Sequence, residues 1–365
     1  MVFNTLYRSL RADFLQKVRA VVTELEAWNE DELFYRRWYE LRHDEKALAA
    51  FLNSLGPGFL KKKNLITPEY IEQNKTGDHL SEDRLFAAQD SMFQNVLFYK
   101  RPRYLPSIKH KHEFFEGILV LRGQCTNTIA DKNLVLCAGN LCFIAPETYH
   151  MLEVFDDDSI VLYILIRHRT FDEVFANLLP APGVLAQFFM RNIWSKTSEY
   201  LVFNIANDTE ILEQLLTMLV EQNVGDEESD RIIEFQLVVF FYLLKRKYGN
   251  SPVVHEQVGL KEKHAELIAY IIKHFRTLSH AALSAKFNLS AAYCSRIIKS
   301  ITGKNFVTLV HELRMNHARV MLLKSDAKIY DISFSLGYEN QETFIRNFKK
   351  AHGITPGQYR KNHAV

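Results

Sequence analysis

The stretch 329–360, IYDISFSLGYENQETFIRNFKKAHGITPGQYR, limits the possible folds more than any other. Its apolar residues fall at Ile329, Ile332 and Leu336, then at Phe344, Phe348 and Ile354. This is helical spacing. Between the two runs lies Gly337-Tyr338-Glu339-Asn340. Glycine takes positive φ at a helix C-terminus without a Cβ penalty, and asparagine caps the helix that follows. A short helix, a tight turn and a second helix with a polar start form a helix-turn-helix. The second helix is expected over about 341–351. Phe344 and Phe348 are four apart and face the core, which turns Gln341, Glu342, Arg346 and Thr343 outward. Gln pairs with adenine, Arg with guanine, and Glu accepts from cytosine. Taken alone, an amphipathic helix with a solvated face explains these residues as well.

The same layout occurs once upstream. A short helix over 281–287 is followed by a turn at Asn288-Leu289 and a cap at Ser290. The next helix exposes Ala292, Ser295, Arg296 and Lys299, buries Cys294, Ile297 and Ile298, and ends at Gly303. A longer helix over 306–324 joins the two units through Leu309, Leu313, Met321 and Leu322. Two such units present two recognition helices to adjacent major-groove faces, about 34 Å apart.

With these residues in view, 264–361 resembles the DNA-binding domain of AraC/XylS-type transcriptional regulators. The resemblance is carried by Ser290, Tyr293, Ser295-Arg296, Lys299, Thr302-Gly303, Phe306, Leu313-Arg314, Ala318 and Leu322 in the first half. In the second half it is carried by Ile329, Ile332, Gly337-Tyr338, Phe344, Arg346, Phe348-Lys349 and the closing Gly353-Ile354-Thr355-Pro356, Tyr359 and Arg360. The closing run is its most specific part. His280 and Cys294 stand where the family usually has Leu, and Ser284 and Ser333 where it usually has Ala. The resemblance implies base contacts from Ser295, Arg296, Gln341, Glu342 and Arg346, with Ala292, Asn340 and Thr343 on the same faces. It implies phosphate contacts from Lys299, Lys304, Lys349, Lys350 and Arg360.

Charge is distributed accordingly. The chain has 365 residues and a net charge of only +2. Residues 262–365 carry 16 Lys/Arg against 7 Asp/Glu, net +9, and the remainder carries 29 against 36, net −7. A basic end on an acidic remainder fits a DNA-binding domain beside one that does not touch DNA. None of Cys125, Cys137, Cys142 and Cys294 forms a CxxC pair, and the three in strand-like surroundings are expected to pack as small hydrophobes. The N-terminus lacks the apolar core of a secretory signal, and no run of 18 apolar residues exists. A cytoplasmic protein without membrane contact is expected.

Residues 1–54 show helical spacing in two runs, Leu6 to Trp28 and Leu33 to Leu52. Lys61-Lys62-Lys63 reads as a solvated loop, Thr67-Pro68-Glu69 as a helix start and 73–83 as a loop. From about residue 95 short strands are expected at 95–100, 114–121, 125–130, 134–137, 141–145, 150–155 and 160–167, as in a sandwich or barrel. Helices at 170–179 and 184–194, a strand at 199–205 and helices at 209–223 and 231–247 follow. The last is apolar over most of its circumference, which predicts burial on more than one side.

Within the strands, His110, His112 and Glu116 share parity and point to one face of a strand. With His150 they offer three imidazoles and a carboxylate. The pattern resembles the two cupin motifs. The second is imperfect: six residues separate Gly139 from Pro146, Thr148 stands at the usual Gly, His150 comes one residue early, and Val154 replaces the usual Asn. Sensor domains of AraC-type regulators resemble this pattern and usually bind a small organic effector, often a sugar, without metal. His110, His112, Glu116 and His150 are therefore expected to bind effector, with a metal site or satisfied structural histidines as alternatives. Phe114, Phe143 and Tyr163 are either pocket lining or core.

The expectation is an α+β multidomain chain: a helical N-terminal extension (1–90), a cupin-like β-barrel (91–206), a helical pair for dimerisation (207–248), a linker (249–262) and an all-α double helix-turn-helix (263–365). Its expected role is a homodimeric regulator, more an activator than a repressor, that binds promoter DNA, a sugar-like effector and RNA polymerase. No catalytic residue, metal or cofactor is expected. The alternative is a metal-dependent cupin enzyme with a regulatory DNA-binding tail.

Overall fold

The computed structural model describes residues 12–56, 59, 79–80, 94–129, 132–167, 170, 185, 188, 200–226, 228–248 and 262–362. The lysine run at 61–63, the helix start at 67–69, most of the helices at 170–179 and 184–194, and most of the linker lie outside them. The chain divides into two compact units, one made of Met1–Val174 and Lys196–Gln257, which carries the strands, the other of Phe175–Ser195 and Val258–Val365, which carries the C-terminal helices.

In the first unit, α1 (Ala12–Glu26), α2 (Glu30–Leu41) and α3 (Glu45–Ser54) precede the strands. Asn29 and Glu32 form a reciprocal capping box that starts α2, and Asp44 caps α3. The strands are β1 (His79–Leu80), β2 (Val96–Lys100), β3 (Lys111–His112), β4 (Phe115–Arg122), β5 (Gln124–Ile129), β6 (Lys132–Cys137), β7 (Asn140–Ile144), β8 (His150–Glu153), β9 (Ile160–Ile166) and β10 (Tyr200–Asn204). They form a five-stranded sheet in the order β10-β7-β4-β9-β2, a three-stranded sheet β6-β5-β8 and a short parallel pair β1-β3.

The two larger sheets enclose one core. Leu97, Ile118, Val120, Cys142, Ile144, Val161 and Tyr163 from the large sheet meet Cys125, Ile129, Leu136 and Leu152 from the small one. The opposite face of the large sheet is also buried. Phe143 packs its ring on Phe203, Phe240 and Phe241, at centroid distances of 6.3, 6.4 and 5.5 Å. Phe240 and Phe241 come from α5 (Ser229–Tyr248), which pairs with α4 (Thr209–Val224). The edge strand β2 is covered as well. The Gln222 amide of α4 bonds both the N–H and the carbonyl of Phe98 at 2.7 Å, which removes a free edge. Phe143 is therefore helix-side core and not pocket lining.

The early helices pack on the same unit. The Glu32 side chain is fully buried and accepts from Lys100 Nζ at 2.8 Å, the Arg103 backbone N–H at 3.1 Å and the Arg103 guanidinium at 3.3 Å. Arg103 also lies 4.7 Å over the Trp28 ring. Two expectations need correction. Cys137 is exposed, because it ends the outward-facing edge strand β6. Helix α5 buries only one face, through Ile233, Leu237, Phe240, Phe241 and Leu244. Phe235 remains 72% exposed and Val239 48%.

The second unit is all-helical: α6 (Glu262–His274), α7 (His280–Phe287), α8 (Ala291–Thr302), α9 (Phe306–Lys324), α10 (Ile329–Ser335), α11 (Gln341–His352) and α12 (Pro356–Asn362). Helices α7 and α8 meet at Asn288, which adopts φ 53°, and Ser290 caps α8 by accepting from the Tyr293 N–H. Helices α10 and α11 meet at Gly337, φ 81°. Asn340 caps α11 by accepting from the Glu342 N–H. Both turns expected from the sequence are present. Helix α9 joins the two helix-turn-helix pairs through buried Leu309, Leu313, Met315, Ala318 and Leu322.

Candidate functional site

Each recognition helix is strongly two-sided. In α8, Cys294, Ile297, Ile298 and Ile301 are buried while Ala292, Arg296 and Lys299 are exposed. In α11, Phe344 and Phe348 are buried, Gln341 and Thr343 are half-buried, and Glu342, Arg346, Lys349 and Lys350 are exposed. The first turn of each helix is held by a side-chain cap, so its outward residues project from a fixed backbone. Such a face, polar at the start and basic further along, matches the donors and acceptors that a major groove displays.

Four of the expected DNA contacts have work inside the fold. Asn340 Oδ1 accepts from the Glu342 N–H at 2.7 Å. Ser295 Oγ lies 3.2 Å from His280 Nε2. Lys304 Nζ forms an ion pair with Glu312. Arg360 is half-buried and donates from Nε to the Leu322 carbonyl at 3.2 Å and from its terminal nitrogen to the Ala327 carbonyl at 2.7 Å. Its guanidinium holds carbonyls around the end of α9, which leaves it poorly placed for phosphate. Tyr359 packs on Phe348 at 5.5 Å, and Pro356 is buried.

The departures in the first helix-turn-helix are absorbed locally. The His280 ring packs 5.0 Å from Phe306. Ser284 Oγ donates to the His280 carbonyl at 3.0 Å and contacts Cys294 Sγ at 3.8 Å. In the second, buried Ser333 donates to the Tyr330 carbonyl at 2.7 Å. Small hydroxyls here bond back to their own helix and leave close packing intact.

The second place of interest is at one end of the two-sheet core. His110 and His150 are paired across a bridge, with His110 N–H to His150 carbonyl at 3.0 Å and the reverse bond at 2.9 Å. Glu116 enters from β4. One ligand atom from each of His110, Glu116 and His150 lies within 4.8 Å of the others. His150 Nε2 is 3.3 Å from Glu116 Oε1, and His112 Nε2 is 3.4 Å from Glu116 Oε2. The His112 ring stacks on Phe114 at 4.1 Å. The four residues expected to act together are thus brought together. Of the aromatic candidates, Phe114 and Tyr163 join the core beside them, and Tyr163 accepts from Arg101 at 3.1 Å.

The three rings are oriented in the same way. Nδ1 of His110 bonds the Ile108 carbonyl at 2.9 Å, Nδ1 of His112 the Phe114 carbonyl at 2.8 Å and Nδ1 of His150 the Thr148 carbonyl at 3.0 Å. A carbonyl only accepts, so each Nδ1 carries the hydrogen and each Nε2 of a neutral ring carries a lone pair. Burial pushes His110 down to about 3 and also lowers His112. Burial alone would raise the Glu116 carboxyl, but the charge and Nε2–H donation of the His150 and His112 rings in their protonated form outweigh it and hold the group below the ordinary carboxylate range. The orienting carbonyls were not recognisable in the sequence. Their only trace is that each lies two residues from its histidine.

A family profile described as a helix-turn-helix domain matches residues 283–362. The transcriptional activator RhaS of Escherichia fergusonii is 26% identical over 257 residues, 69% of this chain and 87% of the relative. The transcriptional activator RhaR of Yersinia pestis is 24% identical over 262 residues, 70% and 84%. Among solved structures, the C-terminal domain of AraT from Geobacillus stearothermophilus is 34% identical, covering 29% of this chain and 89% of that one, with a TM-score of 0.28. ToxT from Vibrio cholerae O395 is 14% identical, covering 74% and 97%, with a TM-score of 0.29.

The paired helix-turn-helix units and these relatives define a DNA-binding transcription regulator. A helix-turn-helix domain of the AraC type stands at its C-terminal end, and its relatives include the activators RhaS and RhaR. A metal-dependent enzyme with a regulatory tail, the alternative drawn from the sequence, has no support among the relatives reported. Among the described residues, no helix is long and apolar enough to cross a membrane.

Proposed function

We infer that the protein is a cytoplasmic transcription activator that binds promoter DNA as a homodimer and responds to an effector bound in its two-sheet unit. The DNA-reading part rests on one observation: two capped helices in a basic unit expose Arg296 and Lys299 in one case, and Glu342, Arg346, Lys349 and Lys350 in the other. Arg296, Gln341, Glu342 and Arg346 read base edges, and Lys299, Lys349 and Lys350 hold phosphates. Activation is supported by the activator relatives, and contact with RNA polymerase is part of the same reading.

The dimer reading rests on α5. Ile232, Phe235, Val239 and Tyr242 are exposed and spaced three, four and three apart, so they line one helix face. A stripe of this width suits a second copy of the same helix. The sensing reading rests on the cluster of half-buried His110 with buried His112, Glu116 and His150, a convergence of titratable groups away from the DNA-reading helices in sequence.

Quantitative binding to DNA from upstream of the protein's own and neighbouring genes tests the reading. A discrete high-affinity site is expected, with Arg346→Ala weakening it by about 1–3 kcal/mol and relaxing sequence preference at one position. An unaltered footprint in Arg346→Ala would remove that residue's role.

A further inference from the structure

Two polar side chains stand in the core between the sheets without the partners that such burial demands. Asn127, on β5, is fully buried. It shares parity with Cys125 and Ile129, which belong to that core. Its amide offers two donors and an acceptor. Among the described residues, neither its oxygen nor its nitrogen has a hydrogen-bond partner. Arg101, immediately after β2, is 6% exposed. It bridges the two sheets, donating to the Tyr163 hydroxyl of β9 at 3.1 Å and to the Leu152 carbonyl of β8 at 2.6 Å. A third bond reaches the Leu105 carbonyl at 3.2 Å. Its Nε has no partner.

The Arg101 charge is also uncompensated. Arg103, just as buried, pairs with Glu32. Among the described residues no carboxylate pairs with Arg101, and Glu116 faces the His112 and His150 rings instead. A buried cation without a counter-ion and a buried amide without a partner both destabilise a fold. Proteins retain such groups where a ligand needs them.

We propose that Arg101 and Asn127 are the recognition pair for a small hydroxycarboxylic acid bound between the two sheets, Arg101 Nε–H donating to its carboxylate and the Asn127 amide pairing with its hydroxyl. This deepens the sensing reading above by naming the effector class, and it rests on that reading for its role in regulation.

The surroundings fit such a ligand. Leu152, whose carbonyl holds the guanidinium, is the register partner of Asn127, so the two polar groups meet at one strand pair. Tyr99 packs 5.0 Å from buried Tyr163 and against the same core, yet it is only half-buried, so open space reaches this side. The two rings and Cys125 give the carbon skeleton an apolar wall. Burial raises the Tyr163 and Tyr99 hydroxyls and the Cys125 thiol, and the Arg101 charge opposes it at all three. The field of the guanidinium thus reaches the whole wall. A neutral sugar would leave that charge unmatched, and a phosphate would bring more than one negative charge against a single cation.

Thermal melting of the full chain with lactate, mandelate and gluconate, each beside its uncharged counterpart, propylene glycol, styrene glycol and sorbitol, tests the assignment. At about 10 mM probe, at least one acid is expected to raise the melting temperature of wild-type protein by about 2–4 °C while its alcohol does not. Arg101→Gln and Asn127→Leu are each expected to abolish the shift, with far-ultraviolet circular dichroism showing that they fold. Asn127→Leu decides the matter where Arg101→Gln loses the fold, because leucine keeps the branched shape. Without probe, Asn127→Leu is expected to melt above wild type, since it removes an orphaned amide. A lower melting temperature for that variant, no shift with any of the acids, an equal shift with the matching alcohol, or a shift that survives in both variants overturns the assignment. Promoter affinity measured with the same compounds separates the two readings. An acid that binds without changing promoter affinity leaves the site standing and removes its regulatory role. An alcohol that changes promoter affinity while no acid does so overturns the carboxylate site and leaves the sensor.

Discussion

Gly337 lies directly against the backbone carbonyl of Arg276: a Cβ at residue 337 would sit 1.6 Å from that oxygen. The same carbonyl accepts from Arg314 at 2.8 Å, and the Arg314 guanidinium lies 5.2 Å over the Tyr338 ring. The turn between α10 and α11 is thus locked to the end of α6. With φ at 81°, a side chain at residue 337 meets both an unfavourable backbone region and a rigid neighbour. Gly337→Ala is expected to destabilise the C-terminal unit by about 2–5 kcal/mol. Urea unfolding followed by circular dichroism measures this, and promoter binding should be lost.

Glu32 sits in a buried charge group with Lys100 and Arg103, whose side chains are 10% and 1% exposed. Removing the carboxylate strands two buried cations. Glu32→Ala is expected to cost roughly 3–5 kcal/mol in the first unit. A loss below about 1 kcal/mol in chemical denaturation would show that the two cations find other partners.

Lys349 and Arg346 are both exposed on α11 and should behave differently. Lys349→Ala is expected to weaken all DNA sequences alike and to lower the slope of log affinity against log salt by about 1. Anisotropy titrations at several salt concentrations, on cognate and scrambled duplexes, give both readouts.

Phe235 is 72% exposed on α5, in line with Val239 and Tyr242. Phe235→Glu is expected to convert a dimer into a monomer in sedimentation equilibrium while helical content stays unchanged. The helix should not unfold, because its buried face uses Ile233, Leu237, Phe240 and Phe241 instead.

Three histidines of the C-terminal unit titrate below the ordinary value. Burial is the first cause for His311, His317 and His352, reinforced by Lys350 at His311, Arg276 at His317 and Arg319 at His352. Between their folded values and about 6.5, the unfolded chain binds more protons than the folded one. Stability is therefore present above about pH 6.5 and lost as pH falls below it. Melting temperatures of this unit should be lower at pH 5.5 than at 7.5, and His317→Gln should flatten the difference.

The helix-turn-helix units were legible because their signals are local. Gly337, Asn340, Asn288 and Ser290 each mark a turn or a cap, and the phenylalanines of α11 mark its buried side. The strands were legible as short apolar runs. Which face of β7 looks into the core was not, because the large sheet is buried on both faces and alternation disappears. Phe143 and Cys142 therefore gave no clue to their opposite surroundings. The exposed side of α5 was hidden in the same way, since apolar residues ring the whole helix. His110, His112, Glu116 and His150 were found through parity and a motif. The carbonyls that orient their rings come from Ile108, Phe114 and Thr148, residues whose side chains carry no signal for that task.

The closing stretch from Gly353 to Arg360 is the most recognisable part of the chain, and its side chains are spent on internal contacts: Pro356 is buried, Tyr359 lies against Phe348, and Arg360 braces Leu322 and Ala327. A shared ending of this kind records how the helices close up, not which promoter is read. Two regulators can agree residue for residue here and still serve unrelated genes, so regulons are better compared through the outward residues of α8 and α11 than through this signature.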